Sequence, residues 1–243
     1  IFFLKPIDSG YIAGEESTIL NIIEGKNIEP RLRPAFPTCS GLYGMPTLIN
    51  NIETIYNVYL VSKNKYQNKR FYSVNFDKKN KGVYFLPENL TIKQILKETD
   101  NYPDYDFFVQ IGGDASGEVL NSKQLNKKVD GAGSITVYNL EKHIPEKLIK
   151  YWLSFFRDNS CGQCTPCREG TYRLYEMFEN FGLKMVKEKN FTDLCDNLFL
   201  SSFCALGTAV PIAILSYFKN VYEPLIVSQK KLKVLKKNVK RKK

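Results

Sequence analysis

Ser160-Cys161-Gly162-Gln163-Cys164-Thr165-Pro166-Cys167-Arg168-Glu169-Gly170 is the stretch from which the rest of the chain is read. Cysteines at Cys-x-x-Cys-x-x-Cys spacing suit metal better than a disulfide framework, and point to a reducing compartment. Three thiolates so spaced can wrap one iron–sulfur cube, each on a different iron. The backbone must curl to bring them there; Gly162 permits the curl and Pro166 sets one φ within it. A [4Fe–4S] cube takes a fourth thiolate. Cys204, at a helix boundary in Phe203-Cys204-Ala205-Leu206-Gly207, is placed to supply it. Cys195 competes, but it falls on an apolar stripe with Phe191, Leu194 and Leu198 and reads as core packing. Zinc prefers two separated ligand pairs, and the common ferredoxin run has its fourth cysteine three residues on; neither pattern is present. Cys39 lies in a proline-rich loop and reads as incidental.

Outward from these cysteines the periodicity is helical. Ile144, Leu148, Ile149, Trp152, Leu153, Phe155 and Phe156 predict an amphipathic helix before them, and Tyr172, Leu174, Tyr175, Met177 and Phe178 one after. Phe191 to Leu198 and Ile212, Leu215 and Phe218 predict two more, so residues 141–222 read as a helical bundle. Residues 67–140 change character. Strands are expected at 71–76, 82–86, 107–113 and 134–138, with a short helix at 91–99, which makes a small α+β module. In residues 1–66 an apolar, strand-like start precedes a helix stopped by Gly25. A proline-rich ordered loop over 27–46 and a helix over Asn50–Val61 follow.

The chain has 243 residues, 43% of them hydrophobic, enough to bury cores in two or three small domains. No apolar run approaches the roughly 20 residues of a membrane span, so a soluble chain is expected. The formal charge is +10, much of the excess lying in Lys230 to Lys243. Residues 223–243 read as a solvated basic tail, and with no nucleic-acid-binding motif present no nucleic-acid partner is expected. The chain opens Ile1-Phe2-Phe3, without Met or a basic leader, so no signal peptide is read and upstream sequence is expected elsewhere. His143 has no catalytic partner in a motif and is not read as catalytic. Gly112-Gly113-Asp114-Ala115-Ser116-Gly117 follows a strand but opens no helix, so it reads as a turn rather than a phosphate loop.

Ser160 to Gly170, followed by Cys204-Ala205-Leu206-Gly207, resembles the NADH-binding flavoprotein (51 kDa or F) subunit of respiratory complex I. Tyr11-Ile12-Ala13-Gly14-Glu15-Glu16 looks like that family's Tyr-Ile-Cys-Gly-Glu-Glu. Glu29 to Pro34, Gly41 to Gly44 and Asn50-Asn51-Ile52-Glu53-Thr54 look like its flavin-side segment. The resemblance runs over residues 1–222 and implies the C-terminal two-thirds of such a subunit. Its modules would be the end of an α/β flavin domain (1–66), a ubiquitin-like (SLBB) α+β module (67–140) and a helical [4Fe–4S] domain (141–222).

By that resemblance Tyr11, Gly14, Glu15, Asn50, Asn51 and Thr54 contact FMN, with Ala205 and Leu206 beside its ring. Glu16 meets the NADH ribose, where a carboxylate accepts hydrogen bonds from both hydroxyls and repels a 2′-phosphate. The implied activity is an NADH dehydrogenase (quinone) subunit that passes electrons through the [4Fe–4S] cluster. Its partners are the 24 kDa (E-type, [2Fe–2S]) and 75 kDa (G-type) subunits of a peripheral arm. Its site is the bacterial cytoplasmic or mitochondrial matrix side of a membrane touched only through the complex. Subunits of NAD-linked hydrogenases and formate dehydrogenases are the next reading, and a flavin-less structural remnant the third. Three positions depart from the family: Ala13 for Cys, Asn159 for Glu and Thr208 for Asp. The family's glycine-rich flavin loop has no counterpart here.

Overall fold

The computed structural model describes residues 2–226 apart from 35, 76–79, 114–116 and 130; residues 1 and 227–243, which hold most of the basic tail, lie outside it. It divides into two compact units, residues 1–67 with 144–211 and residues 68–143 with 212–243.

The first unit starts without a strand: residues 2–6 have no regular structure, and Phe2 and Leu4 are exposed. Among the described residues no strand pairs with them, and their exposed backbone groups are left to water, so the expected strand does not form. Two 3-10 turns, Ile7–Ser9 and Tyr11–Gly14, lead into helix α1 (Glu16–Ile23). Glu15 caps it, one carboxylate oxygen accepting from the Ser17 and Thr18 backbone N–H groups at 2.9 and 2.8 Å. Gly25, at φ 71°, ends it as the sequence predicts. The following loop is ordered by Arg31, which donates to Asn21 Oδ1 (2.7 Å) and the Gly41 carbonyl (2.8 Å) and pairs with Glu24 (2.8 Å). Helix α2 (Ile52–Ser62) is capped by Asn51 but buries none of its residues.

The cysteine-bearing part of this unit is three helices, α4 (Pro145–Asn159), α5 (Thr165–Phe181) and α6 (Lys189–Ser201), and the start of α7 (Ala205–Tyr217). Of the expected α4 stripe, Ile149, Trp152, Leu153 and Phe156 are buried, Leu148 and Phe155 half-buried, and Ile144, which precedes the helix, is exposed. Each buried side chain contributes about 1.5–3 kcal/mol relative to exposure. Helix α5 meets α6 closely at Gly170, where a Cβ would stand 2.9 Å from the Leu198 side chain. Tyr172, expected on the buried face of α5, is exposed.

The second unit is a five-stranded sheet of order β2-β1-β5-β3-β4. Its strands are β1 (Lys69–Asn75), β2 (Gly82–Pro87), β3 (Phe107–Ile111), β4 (Glu118–Asn121) and β5 (Ser134–Asn139). β1 runs parallel to β5, and the other neighbours are antiparallel. Helix α3 (Ile92–Glu98) begins with a capping box between Thr91 and Gln94 and buries Ile92, Ile95 and Leu96. The sequence reading missed β4. Its four residues offer no periodicity long enough to recognise, and pairing with β3 makes them a strand. Residues 212–226 belong to this unit. Ser216 Oγ accepts from the Val119 N–H at 2.9 Å, and the Tyr217 and Phe108 rings lie edge to face at 5.7 Å. His143 is tied up structurally, Nδ1 to the Leu140 carbonyl and Nε2 to the Tyr217 hydroxyl, both at 2.8 Å. No helix among the described residues is long and apolar enough to cross a membrane.

Candidate functional site

The cysteine loop lies between two helix ends. Helix α4 stops at Asn159, Gly162 turns the chain at φ 77°, and Cys164 is the N-cap of α5. The loop is thus shorter than the motif: Pro166 lies in the first turn of α5, where its missing N–H costs no helical bond, and Cys167 is already helical. Arg168 Nη1 donates to the Gly162 carbonyl at 2.8 Å and holds the curl closed. The Thr171 hydroxyl back-bonds to the Cys167 carbonyl, also at 2.8 Å.

Cys204 arrives from the other side, one residue ahead of α7, and its sulfur accepts from the Leu206 and Gly207 backbone N–H groups. These are orphan donors of a helix start, and they favour a thiolate there. Gly207 is needed for the approach. A Cβ would stand 2.3 Å from Ser202 Oγ and 3.2 Å from Cys167 Cβ. Cys164 and Cys167 are buried, Cys161 and Cys204 half-buried.

The electrostatics group the four sulfurs. Burial pushes the Cys167 thiol up to about 11; the Ser160 hydroxyl, 3.3 Å away, opposes this, and the charges of Cys164, Cys204 and Cys161 add to it. Cys204 is raised by burial, then by Cys161 and Cys164. Cys195 is pushed to about 12 by burial, and its charged neighbour is Asp196, not another cysteine. It is 1% exposed on α6, between Phe191 and Leu198, as its place on the stripe predicts. Among the described residues no three His, Cys, Asp or Glu side chains are close enough to hold a single metal ion. An all-cysteine donor set of four suits an iron–sulfur cluster, whose positive irons offset the charge that its thiolate ligands carry.

The other sequence-predicted residues lie on separate elements. Tyr11 is exposed and packs edge to face on Phe155 at 5.2 Å. Gly14 opens on free space, with nothing within 4 Å of a Cβ. Glu15 spends one oxygen capping α1. Glu16 pairs with Arg33, a residue the sequence reading did not single out. Asn51 caps α2, accepting from the Thr54 N–H at 2.8 Å, and Asn50 and Thr54 are exposed. Ala205 is exposed and Leu206 buried at the first turn of α7. Ser160 and Ser202, both beside the sulfurs, were also missed; a serine carries no periodicity or spacing signal, and only its neighbours reveal it.

Clustered thiols on a helical scaffold are the donor set of an iron–sulfur cluster-binding region. Residues 147–225 match the family described as the NADH-ubiquinone oxidoreductase-F iron-sulfur binding region. It is 31% identical over 90% of its length to the F subunit of the NADH-quinone oxidoreductase of Streptomyces coelicolor, covering 55% of that protein. It is 28% identical over 93% of its length to the HndC subunit of the NADP-reducing hydrogenase of Solidesulfovibrio fructosivorans, covering 52% of it. The fold is shared with a chain of an NAD+-reducing [NiFe]-hydrogenase in the H2-reduced state, at TM-score 0.78 and 24% identity over 87% of this chain and 40% of that one. The chain thus spans about half the length of the curated relatives it matches, less than the two-thirds the resemblance implied.

Proposed function

We propose that this chain is the cluster-bearing part of an NADH-oxidising flavoprotein subunit of the complex I type, with Cys161, Cys164, Cys167 and Cys204 as the ligands of one [4Fe–4S] cluster. The observation that carries the reading is the approach of the α7 start, which bears Cys204, to the cysteine loop: a Cβ on Gly207 would stand 3.2 Å from Cys167 Cβ, whereas Cys195 is buried on α6. Bound there, the cluster would take single electrons that FMN receives from NADH and hand them to partner iron–sulfur subunits. This chain's own part is to hold and tune that relay. The α7 N–H groups and the Ser160 hydroxyl stabilise anionic sulfur, and the α4–α6 core keeps the ligands at fixed spacing.

On the flavin side, Tyr11, Gly14, Glu15, Asn50, Asn51 and Thr54 are proposed FMN contacts, with Ala205 and Leu206 beside the ring and Glu16 at the NADH ribose. The bare face of α2, with Ile52, Ile55, Val58 and Tyr59 exposed, supports a flavin domain whose remainder covers it. For residues 68–143 the parallel β1–β5 pair at the centre of the sheet and the capped α3 support a ubiquitin-like (SLBB) module. Quinone as the final acceptor, E-type and G-type partners, and a place on the cytoplasmic or matrix side of a peripheral arm belong to the same proposal. A hydrogenase subunit is the second reading, favoured by the likeness to HndC.

Iron and labile sulfide analysis of anaerobically purified protein tests the cluster. Four irons, four sulfides and a reduced-state EPR signal are the expected result. Bound zinc without labile sulfide would overturn it.

A further inference from the structure

Ser202 closes α6, and its hydroxyl oxygen is shut away from solvent with no hydrogen-bond partner among the described residues. Buried hydroxyls left without a partner are uncommon in folded proteins because each forfeits its hydration, so such a group calls for an acceptor. Its surroundings supply one kind. The backbone of Gly207 passes so close that a Cβ there would meet both Ser202 Oγ, at 2.3 Å, and Cys167 Cβ, at 3.2 Å. The Ser202 hydroxyl and the Cys167 side chain therefore flank one spot at the first turn of α7. Other donors of this corner are already engaged: the Leu206 and Gly207 N–H groups on Cys204, and the Ser160 hydroxyl at 3.3 Å from the Cys167 sulfur.

We propose that the Ser202 hydroxyl donates a hydrogen bond to cluster sulfur, either the Cys167 thiolate or the inorganic sulfide next to it, and so raises the reduction potential of the cluster. The inference rests on the cluster ligation proposed above. Reduction adds one electron, and its negative charge spreads onto the sulfurs; a donor aimed at sulfur stabilises the reduced form more than the oxidised one. Ser202 is a positioning residue in this scheme. It binds no iron, and the cluster assembles without it.

The test is EPR-monitored potentiometry on the full chain, reconstituted anaerobically, with iron and sulfide counted on each sample. Ser202→Ala keeps four irons, and at the wild-type midpoint its ratio of reduced to oxidised cluster falls about threefold, a negative shift of about 30 mV at 59 mV per decade for one electron. Ser202→Thr keeps the hydroxyl and the wild-type potential. Should Ser202→Ala fail to hold iron, the shape-matched pair Ser202→Thr and Ser202→Val decides: Val low and Thr normal supports the bond, and equal potentials overturn it. An unchanged potential in an intact four-iron Ser202→Ala protein also overturns it. Failure of the ligation itself looks different, because then the wild-type chain yields no four-iron signal and both readings fall together.

Discussion

Asn159 Oδ1 accepts a hydrogen bond from the backbone N–H of Tyr11 at 2.9 Å, joining residues 148 positions apart. Its amide nitrogen donates to the Phe155 carbonyl at 2.8 Å, so the side chain is fixed at the end of α4 before it reaches across. Gly10, at φ 67°, turns the chain just before Tyr11. The residue just before the cysteine loop is thereby the anchor of the turn that carries Tyr11. Asn159→Ala should cost about 0.5–1.5 kcal/mol of stability, the net worth of one hydrogen bond that water can partly replace. Asn159→Asp keeps the acceptor and most of the stability. Urea unfolding of the two variants checks this, and equal losses would show that the acceptor oxygen is not what matters.

Cys204→Ala should lose or degrade the cluster, whereas Cys195→Ala should retain full iron and lose about 1–3 kcal/mol of stability through the cavity it leaves between Phe191 and Leu198. Iron content and thermal melting of the purified variants separate the two effects. The reverse pattern would make Cys195 the fourth ligand.

Glu24 should give the chain an acid-sensitive contact. Its carboxylate is held down to about 2 by Lys26 at 2.5 Å, then by Arg31 at 2.8 Å and the Tyr43 N–H at 2.7 Å. An unfolded Glu titrates near 4.3, so on acidification the unfolded state takes the proton first. The stabilisation is therefore complete above about pH 5 and fades as pH falls towards 2. In cluster-free protein the urea midpoint of Glu24→Gln should fall below wild type at pH 6, and the two should converge near pH 2. A gap that persists at low pH would mean that packing, not charge, carries the effect.

Glu16→Gln should narrow any preference for NADH over NADPH in the assembled enzyme, because a carboxylate facing a 2′-phosphate is a like-charge clash. Arg33, paired with Glu16, offsets part of that charge. Arg33→Ala should therefore widen the preference. The ratio of kcat/KM for the two nucleotides is the readout, and if neither substitution moves it, Glu16 does not face the ribose.

The isolated 243-residue chain should bind FMN weakly or not at all. Phosphate capture needs backbone N–H groups brought close by glycines at a helix start, and among the described residues no helix begins between β3, which Gly112 and Gly113 follow at positive φ, and β4. Fluorescence titration with FMN tests this; stoichiometric tight binding would mean a site built differently from the one proposed.

Local chemistry was legible from the residues alone. The Cys-x-x-Cys-x-x-Cys run, the stripes of α4 and α6, the Gly25 stop and the strands β1, β2, β3 and β5 all rest on spacing, period or a conformational preference that neighbours in sequence decide. Packing decided the rest. β4 exists because β3 pairs with it, and the apolar opening residues form no strand because nothing pairs with them. Residues 212–222 read as part of the bundle that holds the cysteines, yet the Tyr217 ring packs with Phe108 and its hydroxyl meets His143. The tuning groups were invisible for the same reason. Ser160, Asn159, Ser202 and Arg33 are ordinary polar residues in sequence, and each acquires its role from a partner brought near by folding. A hydrogen bond or an ion pair depends on distance in space, which a linear pattern of residue types does not carry.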